Sequence, residues 1–180
     1  MSAVRVRYSP SIKIMKILDN FLTKEEHSAI QSEMMNANFP WYYAFSVLPK
    51  DICSCKEEYN YQFGHSFYRD YGFCSNYVEL IVPIIKKLNP VSIFRIKGIL
   101  LPRTEKNIEH GMHIDNSYNM NAAIYYVNTN NGYTKFSDGT KVNSVANRLV
   151  VFNTEQYHTG STCTDEKIRV AINFNYFAGV

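Results

Sequence analysis

The apolar stretch "IKIMKILDNFL" (12–22) is rich in Ile, Leu and Phe, which predicts a strand. The period then changes. In "LTKEEHSAIQSEMMNA", Thr23 is followed three residues later by Glu26, a capping-box pattern, and Ile30 and Met34 recur at helical spacing. The spacing predicts a helix to about Met35. "NFPWYYAF" predicts a second strand. Residues 49–74 mix Cys, Tyr, Gly and charge without a clear period, so a long loop is expected there. "SNYVELIVPIIKKLNP" (75–90) reads as a helix. Ser75 is its candidate cap, Pro83 a candidate kink and Asn89-Pro90 its stop.

From Val91 onward the pattern becomes short strands with turn punctuation. "VSIFRIKGILL" alternates weakly, and "AAIYYVN" ends at "TNNG". "YTKF" runs into the turn "SDGT", and "RLVVFN" and "RVAINFNYF" complete the set. Short strands at this spacing predict an antiparallel sandwich or barrel. No repeat or linker interrupts them. The expectation is one domain over 1–180, mainly β, with helical support at about 23–90 and a barrel core at about 91–177.

Composition narrows the function classes. The chain is 46% hydrophobic and 19% charged, with a net charge of +3 and no run of five basic residues. No nucleic-acid partner is expected. "MSAVRVRYSP" leads into no apolar leader segment, and no stretch of 18 apolar residues occurs, so neither secretion nor a membrane span is expected. A cytoplasmic location follows, with Cys53, Cys55, Cys74 and Cys163 as reduced thiols. Cys53, Cys55, His65 and Cys74 offer four conceivable zinc ligands, but C-x-C is not the usual knuckle spacing, and a plain Cys-bearing loop is the simpler reading. His27, His65 and His110 are read as helix-surface or loop residues.

The candidate chemistry lies in "GMHIDNS" (111–117). His113 and Asp115 stand at i and i+2, which share a face on an extended strand. A second histidine, His158, follows the strand "RLVVFN". Two imidazoles and one carboxylate form the facial triad of non-heme Fe(II) oxygenases, which leaves adjacent coordination positions open. The same set also binds zinc. Arg169 then opens the last strand, in which Val170, Ile172, Phe174 and Tyr176 alternate with Ala171, Asn173 and Asn175. A small and polar row beside Arg169 suits a ligand cavity better than a filled core, and an Arg there can clamp a carboxylate. A structural ion pair is the plainer alternative for Arg169.

On H-I-D at 113–115, His158 and Arg169, with "IYYVN" (124–128) and the opening "ILDNFLTKEEHSAI", the sequence resembles the 2-oxoglutarate- and Fe(II)-dependent oxygenases. The resemblance is strongest to their prolyl-4-hydroxylase-like branch, including its small viral members. It implies a double-stranded β-helix, or jelly-roll, barrel. It implies that His113, Asp115 and His158 form the catalytic Fe(II) site and that Arg169 pairs with the distal carboxylate of 2-oxoglutarate. Tyr126 would donate a hydroxyl to the same end. Tyr125 beside it faces the other way, so a one-residue slip would make Tyr126 a core tyrosine instead. The implied reaction is hydroxylation of a C–H bond with ascorbate as a reductant. The favoured substrate is a prolyl residue in a peptide or protein. A free amino acid or small metabolite is the alternative, as is a non-catalytic metal-binding jelly roll. A monomer or weak dimer is expected, in the host cytoplasm if viral. One departure stands out: that branch carries a Tyr on the strand before the H-x-D, and "FRIKGILLPRTEKNIEHG" has none. Nucleic-acid demethylation is disfavoured because position 175 is Asn rather than Arg, and halogenation because Asp115 is present.

Overall fold

The computed structural model describes residues 15–178. In chain order the elements begin with β1 (Lys16–Leu18), α1 (Lys24–Met34), β2 (Tyr42–Ala44), β3 (Gln62–Arg69), β4 (Gly72–Phe73) and α2 (Val78–Leu88). They continue with β5 (Pro90–Pro102), β6 (Asn121–Tyr126), β7 (Tyr133–Phe136), β8 (Lys141–Asn143), β9 (Arg148–Asn153), β10 (His158–Gly160) and β11 (Ile168–Ala178). The major sheet runs β1-β9-β6-β11-β5-β3-β2, with β4 attached to β3. The minor sheet runs β10-β7-β8. Among the described residues, the strands of both sheets pair antiparallel. This is the mainly β, jelly-roll architecture expected from the sequence.

The helices cover one face of the major sheet. The α1 capping box forms: Thr23 Oγ1 accepts the Glu26 N–H at 3.2 Å, and Glu26 Oε2 accepts the Thr23 N–H at 3.0 Å. Ile30 and Met34 of α1, and Ile81 and Ile84 of α2, are buried with Ile96, Tyr125, Leu149, Ile172 and Phe174 of the sheet. Burying this apolar stripe supplies most of the drive to hold the helices there. The opposite face of the sheet looks toward the minor sheet. There Ala122, Ile124, Tyr126, Val150, Phe152 and Ala171 meet Phe136 and Val142. Successive residues of one strand therefore serve two different cores.

Three expectations need correction. The opening strand is short, Lys16–Leu18, and residues 12–14 of its predicted range lie outside the described residues. Ser75 does not cap α2. It precedes the cap position, Tyr77, and accepts the Tyr77 N–H and a His65 ring contact instead. The expected loop at 49–74 contains the eight-residue strand β3, paired with β5 and β2. Gly64 and Ser66 alternate along it with His65 and Phe67, so the face toward the core holds a histidine and the other face no large apolar group. His65 is therefore a buried strand residue, its ring nitrogens bonded to Pro40 O and Ser75 Oγ.

Candidate metal centre

The segment 108–115 runs beside β10 as a further, irregular strand of the minor sheet. Isolated bridges pair Glu109 with Ser161 and His113 with His158. The two histidines exchange both backbone hydrogen bonds at 2.9 Å, and the Asp115 N–H donates to Thr154 O. This register sets the rings side by side, with centroids 4.6 Å apart. His158 Nε2 lies 3.9 Å from Asp115 Oδ1. One ligand atom from each of His113, Asp115 and His158 lies within 4.8 Å of the others. Among the described residues, no other His, Cys, Asp or Glu cluster meets that condition. Cys53 and Cys55 do meet, Sγ to Sγ at 2.8 Å, but His65 is already bonded on both ring nitrogens.

The surroundings prepare the three groups as ligands. The His113 Nδ1–H faces Gly111 O at 3.2 Å, and the His158 Nδ1–H faces Gln156 O at 2.9 Å. Nδ1 of each ring is thereby engaged and Nε2 is left to ligate, the tautomer a metal needs. The His158 ring is packed against Phe136 and Phe152. Burial pushes its pKa down, with the Asp115 charge opposing. Burial alone would raise the Asp115 carboxyl. His158, Arg95 and the amides of Asn173 and Asn175 outweigh it and hold the group below the usual carboxylate range. Asn173 and Asn175 donate Nδ2–H to Asp115 Oδ2 at 3.1 and 2.9 Å, and Arg95 Nη2 lies 3.5 Å from Oδ1. Two imidazoles anchored through Nδ1 and a hydrogen-bonded carboxylate fit a divalent ion.

The triad borders a cavity of about 270 Å³. One end is built around Arg169, a residue 5% exposed whose guanidinium has no carboxylate within ion-pair distance among the described residues. Its Nε donates to Ser144 Oγ at 2.8 Å, and Nη2 lies 3.5 Å from Thr134 Oγ1. A buried cation without an anion is costly, so the plain ion-pair reading of Arg169 has no partner here. The register Ala171↔Tyr126 turns Tyr126 to the cavity side of β6, and Tyr125 toward the helices. The Arg169 Cζ lies 5.5 Å from the Tyr126 ring centroid. The Tyr126 hydroxyl donates to Thr134 Oγ1 at 2.8 Å, so Thr134 stands between it and the cavity. His110, read from sequence as a loop residue, is buried and lines this same end, with Nδ1 near Gly160 O. No sequence signal marked it, because its burial depends on the 52–54 backbone folding over 110–111: Ser54 N–H donates to His110 O.

No protein-family model and no curated protein significantly matches the chain. Solved structures do match. A prolyl-4-hydroxylase of Pseudomonas putida is 16% identical, with 93% of this chain and 94% of that one covered and a TM-score of 0.59. The viral collagen prolyl hydroxylase of Paramecium bursaria Chlorella virus-1 is 12% identical, with 99% and 100% covered and a TM-score of 0.54. The epimerase SnoN of nogalamycin biosynthesis, solved with Fe3+, α-ketoglutarate and nogalamycin RO, is 9% identical, with 91% and 78% covered and a TM-score of 0.64. The chain has the double-stranded β-helix fold of the 2-oxoglutarate- and Fe(II)-dependent oxygenases.

Proposed function

We propose that this chain is a 2-oxoglutarate- and Fe(II)-dependent dioxygenase that hydroxylates a C–H bond. One observation carries the reading: a His-Asp-His cluster and a buried arginine without a carboxylate share one cavity. His113, Asp115 and His158 would hold Fe(II). Arg169 would pair with the distal carboxylate of 2-oxoglutarate, with Thr134 beside it held by the Tyr126 hydroxyl. When bound, the iron, O₂ and 2-oxoglutarate supply the oxidising power, yielding succinate, CO₂ and the hydroxylated product. The residues of the chain orient and shield. Gly111 and Gln156 carbonyls fix the two rings, Asn173 and Asn175 fix Asp115, and Phe136 and Phe152 close the cavity behind His158.

The favoured substrate is a prolyl residue in a peptide, by the resemblance of the sequence and by the hydroxylases that share its fold. A small-molecule substrate is the second reading, favoured by the fold likeness to SnoN. Adding Fe(II) and 2-oxoglutarate without oxygen should produce a visible charge-transfer band. Admitting oxygen should release succinate, and His158→Ala should abolish both. A folded protein that binds metal yet shows neither band nor succinate would leave only the metal-binding module.

A further inference from the structure

The cavity-facing side of β5 carries Arg95, Lys97, Ile99 and Leu101 in alternation. Across the register, Arg95 faces Asn175, Lys97 faces Asn173 and Leu101 faces Arg169. Arg169 and Arg95 thus belong to positions six residues apart along the strand pair, or about 20 Å of strand. The cavity has a second cationic pole, remote from the one assigned to 2-oxoglutarate.

That pole is under-neutralised. The charged side chains lining the cavity are Arg95, Lys97, Arg169 and the single carboxylate Asp115. They leave an excess of two positive charges. A divalent ion and the dianion 2-oxoglutarate cancel each other, so the excess persists in the loaded site. Among the described residues Arg95 reaches only Asp115, at 3.5 Å, and its buried Nε has no partner. Lys97 is half-buried and has no hydrogen bond or ion pair among the described residues. Burial and the Arg95 charge hold its ammonium below the usual lysine range. Its stem lies over Gly64, where an added Cβ would come within 2.9 Å of Lys97 Cε. Lys97 also borders the outer groove formed with Tyr42, Tyr43 and Arg69. It lines both, and so stands at the threshold between groove and cavity.

We propose that the primary substrate carries a carboxylate that docks on Lys97 and Arg95 at this threshold. The assignment rests on the dioxygenase reading, since it takes Arg169 as the co-substrate's cation. A carboxylate is the anion common to both candidate substrates: it is the free amino acid's own, or an acidic side chain beside the target residue of a peptide. Lys97 and Arg95 would then select the substrate, and a neutral prolyl peptide would be a poor one.

The test is calorimetric binding to the protein loaded with Mn(II) and 2-oxoglutarate without oxygen. The probes are L-proline against L-prolinamide, and acetyl-Glu-Pro-Glu-amide against acetyl-Gln-Pro-Gln-amide. In at least one pair the carboxylate member should bind about tenfold tighter or better, and which pair does so identifies the source of the carboxylate. Lys97→Met should remove most of that preference and Lys97→Arg should retain it. The proposal is overturned by equal binding within both pairs, undetectable binding of all four included. It is equally overturned if Lys97→Met leaves the preference intact or weakens 2-oxoglutarate as much as the probe. The readout is independent of turnover: carboxylate preference without the charge-transfer band would keep the docking site and lose the oxygenase, and the reverse result would do the opposite.

Discussion

Asp115 Oδ2 receives two side-chain amide hydrogen bonds, from Asn173 and Asn175, on adjacent inward positions of β11. Such outer contacts set both the orientation and the charge of a ligand. Asn175→Ala should lower Mn(II) or Fe(II) affinity by about 10- to 100-fold, with near-unchanged far-UV circular dichroism. A metal titration with an unaltered midpoint would remove Asn175 from the site. The H-x-D, the later His and the Arg were legible in the sequence because each is a chemically distinctive residue beside turn or strand punctuation. The supporting residues were harder to find. Asn173 and Asn175 were visible only as an odd polar row, and their target was not, because Asp115 meets them only after β11 takes its place in the sheet. Arg95 and Lys97 were hidden in a segment whose alternation is weak, since Gly98 breaks the apolar face between Ile96 and Leu100. The choice between Tyr125 and Tyr126 needed the register of β6 against β11.

At the level of elements, α1 shows how much a short local signal can specify. Its cap, its first-turn acids and its buried pair Ile30 and Met34 all agree with the sequence pattern. Thr23→Ala removes the side-chain acceptor of the box and should cost about 1 kcal/mol, measured by urea unfolding, while leaving metal affinity unchanged because α1 packs on the far face of the major sheet. A cost near zero would mean that the first turn finds another acceptor. The strand β3 is the opposite case. One face holds Gln62, Gly64 and Ser66, which line the cavity or the groove beside it, and the face toward the core carries a histidine bonded to Pro40 and Ser75, residues on either side of it in sequence. A strand that borders a polar cavity on one side loses the apolar alternation by which strands are recognised. The residues that make it useful to a ligand are those that made it look like a loop.

Across the whole molecule, the cavity depends on the minor sheet staying closed over the major one. Glu109 helps hold that closure from the 108–115 segment. Tyr133 donates its hydroxyl to Glu109 Oε1 at 2.7 Å, and Lys135 Nζ lies 3.0 Å from Oε2. Burial would raise the Glu109 carboxyl, but Tyr133 and Lys135 outweigh it and hold it below the ordinary glutamate value. A depressed carboxylate contributes stability that is complete above the unfolded pKa and is lost as pH falls through the folded one. Unfolding curves should therefore show stability declining on the acid side of the ordinary glutamate pKa, and Glu109→Gln should flatten that decline while lowering the plateau. A variant whose pH profile overlays the parent would exclude Glu109 from the acid transition. The reciprocal backbone bonds between His113 and His158 act at this scale too. They join two segments distant in sequence and set the spacing of both imidazoles through the main chain, before any ion arrives. Little conformational entropy is then left to lose on chelation, and selectivity among divalent ions falls to the preset bite of two rings and one carboxylate rather than to a loop that remoulds itself around each newcomer.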